Sequence, residues 1–143
     1  MNYKLELVLI PVSDVDRAKK FYLEQAGFVL IVDTPIGPEQ RVVQVVPPGS
    51  ECAIGFGTGL TSAAPGAAQG LHLVVTDILA ARAELTGRGV AVTPVRHLEA
   101  GAWVDGPHPG RANYESFADF TDPDGNIWIL QEVDRSKTEQ GSD

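Results

Sequence analysis

Three imidazoles and one thiol, at His72, His97, His108 and Cys52, are the most reactive side chains in this chain of 143 residues. An imidazole titrates near neutrality and can move a proton, hold a hydrogen bond or ligate a metal. None of the three histidines has a second histidine or a carboxylate at the spacing of a zinc-binding helix. His72 stands in the alternating run Gly70-Leu71-His72-Leu73-Val74-Val75, which predicts a strand presenting His72 on one face and Leu71, Leu73 and Val75 on the other. His97 and His108 sit beside glycines and prolines and are expected at the surface. Cys52 has no partner for a disulfide within the chain and reads as a small apolar residue. Asp122-Pro123-Asp124-Gly125 is similar to part of a calcium loop, but Phe120 and Gln131 stand where its first and last carboxylates belong. Gly55, Gly57 and Gly59 open no helix, so they form no dinucleotide fingerprint. There is no Gly-x-Ser-x-Gly elbow.

The elements that position these residues come in two similar sets. Residues 7–27 read as a strand, then Val-Ser-Asp, an amphipathic helix and a glycine; residues 70–89 repeat this with Val-Thr-Asp. Asp14 and Asp77 are predicted N-caps, and Gly27 and Gly89 are predicted to end the helices in the left-handed conformation. Val15, Ala18 and Tyr22 form the apolar stripe of the first helix, and Ile78, Ala81 and Leu85 that of the second. Strands are expected over 28–32 and 90–95. Strand–turn–strand units follow at 41–56, around Pro47-Pro48-Gly49, and at 117–131, around residues 122–126. The reading is one α+β domain of two tandem βαβββ modules, at 3–57 and 70–133. A Gly/Ala/Ser/Thr linker joins them at 58–69, and a polar, mobile tail covers 134–143. The modules differ most between their second and third strands: a short connection over 33–40 in the first becomes a long one over 96–116 in the second. That connection contains Trp103 and Tyr114 and is expected to be an irregular lid.

Bulk properties narrow the function. A 43% hydrophobic and 21% charged composition suits one globular domain with its own core. No apolar run approaches the length of a membrane span, and the first residues lack a signal-peptide core, so the cytoplasm is the expected location. A formal net charge of −8 with no Lys/Arg cluster argues against nucleic acid or an anionic membrane as partner.

The segments PVSDVDRAKKFYLEQAGF (11–28) and FTDPDGNIWILQE (120–132) resemble the opening and closing signatures of the vicinal-oxygen-chelate superfamily, which includes glyoxalases, bleomycin-resistance proteins and extradiol dioxygenases. The resemblance spans nearly the whole chain. It implies a curled mixed sheet around a ligand cavity, and a homodimer, because relatives commonly cover their sheet edges by pairing. Metal-dependent relatives carry His, Gln or Glu on the first and last strands of each module. Carried over from the capping aspartates and the turn asparagine, those positions are Leu7, Ala53, Gly70 and Ile129, none of which has a side-chain donor atom. The expectation is a member with no metal and no cofactor.

Alternation places Leu7, Leu9 and Pro11 toward the cavity, with Glu51, Ala53 and Gly55, with Gly70, His72 and Val74, and with Ile127, Ile129 and Gln131. The expected ligand-binding set is Leu7, Leu9, Glu51, His72, Trp103, Tyr114, Ile129 and Gln131: an apolar pocket with a few polar handles. Three functions fit. The first is metal-free binding of a small, largely apolar organic molecule, in sequestration or resistance. The second is a metal-independent isomerase, cyclase or lyase with His72 or Glu51 as acid or base. The third is a metal-dependent lyase or dioxygenase with displaced ligands such as Glu51 and His72. Whether the protein is an enzyme stays open at this level.

Overall fold

The computed structural model describes residues 1–136; the lysine-to-aspartate end of the predicted polar tail, 137–143, lies outside the described residues. The described chain divides into two compact units, one formed by 1–69 with 122–126 and the other by 70–121 with 127–136. Among the described residues no helix is long and apolar enough to cross a membrane.

In the first unit, β1 (Leu7–Leu9), β2 (Val29–Gly37), β3 (Gln40–Val46) and β4 (Ala53–Gly57) form a sheet of order β1-β4-β3-β2. The β1–β4 pair is parallel and the other pairs are antiparallel. Helix α1 (Val15–Lys20) starts at Asp14, whose carboxylate accepts the Arg17 N–H at 3.0 Å, as the capping pattern predicts. It widens into a π-helical turn over Phe21–Gln25, in which Ala26 N–H donates to the Phe21 carbonyl. Adjacent Phe21 and Tyr22 are both buried there, and Gly27 ends the turn with φ 77°. One side of the sheet, through Val43, Val45, Ile54 and Phe56, packs with Tyr22 and Phe28 as core; the Tyr22 ring lies 5.5 Å from Phe56 and 5.6 Å from Phe28.

Strand β2 runs through Pro35 to Gly37, where a connection was expected over 33–40. It is an edge strand, so the missing N–H of Pro35 disrupts no inner ladder, and the register shifts beside it. The turn at 122–126 belongs to this unit although it lies far along the chain. Tyr22 donates its hydroxyl to buried Asp122 Oδ2 at 2.7 Å. Fully buried Asn126 donates to Asp122 Oδ2 and to the Pro11 carbonyl, both at 2.8 Å, and accepts from Ala68 N–H at 3.0 Å.

In the second unit, β5 (Gln69–Val75, whose first residue falls in the first unit), β6 (Arg96–Glu99), β7 (Ala102–Asp105), β8 (Phe117–Thr121) and β9 (Ile127–Glu132) form a sheet of order β5-β9-β8-β6-β7. The first four strands of this order correspond to those of the first sheet, and β7 is an added edge. Helix α2 (Ile78–Gly87) is capped by Asp77, which accepts the Ala80 N–H at 3.2 Å, and Gly89 follows it with φ 90°. Trp128 stacks on Phe120 at 6.1 Å in the core.

In three places the structure departs from the sequence-based expectation. The strand expected over 90–95 yields only an isolated bridge, Val92 to Phe120, because Pro94 interrupts the donors; the paired strand begins at Arg96. The connection at 96–116 is no irregular lid. It begins with the β6–β7 hairpin, closed by Ala100 and Gly101, both at positive φ. His97 is likewise not at the surface but 4% exposed, with Nδ1 2.7 Å from the Gly106 carbonyl oxygen and Nε2 3.3 Å from Glu99 Oε1. Alternation explains this: Arg96 and Leu98 share the other face of β6.

Replacing Tyr22 by Phe leaves buried Asp122 short of a donor and is expected to lower stability by about 1–3 kcal/mol in urea denaturation. The His97 pKa is raised, chiefly by the Gly106 carbonyl and then by Glu99, with burial opposing. A raised folded-state pKa stabilises the fold fully below the ordinary histidine value, and the contribution fades as pH rises through the folded value. Thermal melts of wild type and His97→Asn are therefore expected to differ more at pH 5.5 than at pH 8.5, with Glu99 and the neighbouring His108 ring as the titratable groups facing it.

Candidate functional site

The side of the second sheet that α2 does not use presents a row of chemically distinct side chains. Register fixes their order: Phe117 lies opposite Gln131 on β9 and Arg96 on β6, Asp119 opposite Ile129, and Leu98 opposite Trp103. Trp103 and Phe117 meet edge to face with centroids 5.7 Å apart. The Arg96 guanidinium lies 4.7 Å above the Trp103 ring. Its Nη2 also donates to both carboxylate oxygens of Asp119, at 3.0 and 3.1 Å. The cation is thus stacked and neutralised, and its planar body extends the aromatic surface. Trp103 is 53% exposed, an unusual amount for so large a ring.

Past Phe117 the row becomes polar. Gln131 Oε1 lies 3.1 Å from His72 Nδ1, and Gln131 Nε2 donates to the Tyr114 carbonyl at 3.3 Å. Tyr114 takes φ 69°, a conformation that costs energy in any residue with a side chain. It is held there by its N–H, which donates to the Glu132 carbonyl at 2.9 Å. Its hydroxyl accepts from Arg135 at 3.1 Å. Arg111, also at positive φ, anchors the same segment by donating Nε and Nη2 to the Glu132 carboxylate at 2.8 and 2.5 Å. Glu132 is 1% exposed and also accepts the first N–H of α2, from Ile78. This carboxylate pushes the Arg111 guanidinium above its ordinary range.

Of the residues expected from the sequence, His72, Trp103, Tyr114, Ile129 and Gln131 are gathered in this unit. Leu7 and Leu9 stand on the first unit's sheet with exposed side chains, and Glu51 lies in the exposed bend ahead of β4, outside the strands. Arg96, Phe117 and Asp119 were not anticipated. For Phe117 and Asp119 the signal is alternation with buried Ala118 and Phe120, and for Arg96 alternation with buried His97.

A divalent metal at the positions carried over from metal-dependent relatives does not fit. Leu7 and Ala53 are register partners in the β1–β4 pair, and both end in carbon. In the second unit Ile129 is apolar, and Gly70 has φ 97°, where any ligating side chain would be strained. Among the described residues no three His, Cys, Asp or Glu side chains gather around a common point.

Comparison with known proteins agrees with this architecture. The chain is similar to TnmS3, an antibiotic-binding protein from Streptomyces sp. CB03234, with 34% identity, a TM-score of 0.72 and coverage of 93% of this chain and 98% of that one. A glyoxalase/bleomycin resistance protein from the same strain is 35% identical with a TM-score of 0.68, over 90% of this chain and 99% of its own. The YetH protein of Bacillus subtilis (strain 168) is 25% identical over 133 residues, 92% of this chain and all of that one. The family model of the Glyoxalase/Bleomycin resistance protein/Dioxygenase superfamily matches residues 4–130, and the chain belongs to that superfamily.

Proposed function

We propose that this protein binds a small, largely apolar, planar organic molecule without a metal, in a sequestering or resistance-type role in the cytoplasm. The observation that carries this reading is the Trp103–Phe117 pair with Arg96 stacked on it, on the open side of a sheet whose other side is core. Such a surface favours a flat conjugated partner over a flexible polar one. The antibiotic-binding role of TnmS3 supports the same class of ligand. The metal-free part of the proposal rests on Leu7, Ala53, Gly70 and Ile129, which offer no donor. Two copies of the chain are proposed to pair, because β2 leaves Val29, Ile31 and Ile36 about half exposed along a sheet edge.

A second reading, a metal-independent isomerase, cyclase or lyase, is favoured by one feature: the His72 imidazole is exposed and fixed in direction by Gln131, as an acid or base would be. Glu51 has no comparable support.

The test is a fluorescence titration of EDTA-treated protein with a panel of planar tricyclic aromatics, and chromatography of the compound afterwards. A ligand should bind without added metal, be recovered unchanged, and bind roughly tenfold more weakly to Trp103→Ala, whose fold is checked by circular dichroism. Binding that requires zinc, iron, nickel or manganese contradicts the metal-free reading. Conversion of the compound favours the enzyme, and unchanged affinity in Trp103→Ala removes the site.

A further inference from the structure

We propose that His72 presents a bare Nε2 to the ligand as a hydrogen-bond acceptor, so that this face selects planar molecules carrying an acidic hydroxyl, such as phenols and enols. This inference rests on the preceding assignment of the face and adds which chemical group it recognises.

The chain of constraints begins at Tyr114. A backbone carbonyl can only accept, so the part of the Gln131 amide 3.3 Å from it must be the NH2 group. The carbonyl is not free to move: the Tyr114 N–H is tied to Glu132, and Arg111 clamps the same segment to the buried Glu132 carboxylate. The amide oxygen of Gln131 therefore faces His72, and it too can only accept. His72 Nδ1, 3.1 Å away, must carry the proton. A neutral imidazole has one ring proton, which leaves Nε2 as a lone-pair acceptor. Among the described residues nothing occupies that nitrogen, and His72 is exposed.

The rest of the face sets the geometry of a partner. His72 on β5 and Phe117 on β8 are separated by two strand spacings, roughly 10 Å, with Gln131 of β9 between them. A molecule of about three fused rings can lie on Phe117, touch the near edge of Trp103 and still reach His72 with a substituent. At the far end Arg96 is already satisfied by Asp119, so it offers a stacking surface more than a free cation. The unmet hydrogen-bonding need of the row is a donor, at His72. Of the neutral donors a conjugated ring can carry, a hydroxyl is more acidic than an amine or ring N–H, and that acidity strengthens its bond to an imidazole nitrogen.

Two measurements test this. Long-range proton–nitrogen spectra at pH 8.5, with His72 assigned by its loss in His72→Phe, should show the proton on Nδ1; in Gln131→Leu that preference should be lost. In titrations, 2-hydroxyfluorene should bind about tenfold tighter than 2-methoxyfluorene, and the difference should vanish in His72→Phe. A proton on Nε2, equal affinity for the two compounds, a preference that survives His72→Phe, or binding of neither compound would each overturn the inference. Failure of the parent reading looks different. If the two compounds bind alike and Trp103→Ala weakens both, the face is the site and only the hydroxyl assignment falls. If Trp103→Ala leaves both unchanged, the face itself is not the site.

Discussion

The ion pair between Arg111 and Glu132 is the constraint on which the second unit's organisation depends. A carboxylate that is 1% exposed is costly unless every oxygen is satisfied, and Glu132 is satisfied by two guanidinium donors and by the first N–H of α2. These partners come from two places: the α2 N-terminus, beside Asp77, and the segment between β7 and β8. Removing the Arg111 guanidinium strands the buried Glu132 carboxylate, at a cost typically near 3–5 kcal/mol. The segment before β8 is therefore fixed in shape, including the two residues held at positive φ, Arg111 and Tyr114. From that fixed segment the Tyr114 carbonyl orients Gln131, and Gln131 orients His72. The proposed binding face, assembled in this way, is pre-organised, so ordering a loop would cost a ligand little.

The same module that supplies this face differs from its repeat by one hairpin. The first sheet ends at β2, while the second continues past β6 to β7. That extra strand brings Trp103, and with it the stacking surface for Arg96 and Phe117. His97, buried beneath, secures Gly106 just beyond β7. The proposed specificity thus resides in the asymmetry between repeats. The positions carried over from metal-dependent relatives are Leu7, Ala53, Gly70 and Ile129, and the left-handed backbone at Gly70 resists placing a ligating side chain there.

Much of this architecture could be read from residue order alone. Asp14 and Asp77 mark helix starts because a carboxylate placed before an apolar stripe satisfies free backbone donors, and both do so. Alternation along β5 and β9 put His72 and Gln131 on one side and Trp128 on the other, as they are. What escaped was what alternation cannot report. Val90 to Val95 has strand composition, but Pro94 shifts the ladder to Arg96. His97 looked like a loop histidine because its surroundings are rich in glycine and proline, yet those residues form a tight hairpin that buries it. Arg111 carries no periodic signal, since its importance lies in a carboxylate 21 positions away. Phe117 and Asp119 needed the β8–β9 register before they could be placed beside Gln131 and Ile129.

The chain has two tryptophans with opposite surroundings, Trp103 being 53% exposed on the proposed face and Trp128 1% exposed in the core. Their indole N–H signals in a proton–nitrogen correlation spectrum separate the face from every alternative. On addition of 2-hydroxyfluorene to metal-free protein, the account predicts that the Trp103 indole moves, together with the Phe117 and Gln131 backbone amides, while the Trp128 indole stays in place. Movement confined to first-unit residues such as Leu7 and Leu9, with the Trp103 signal unchanged, would contradict it.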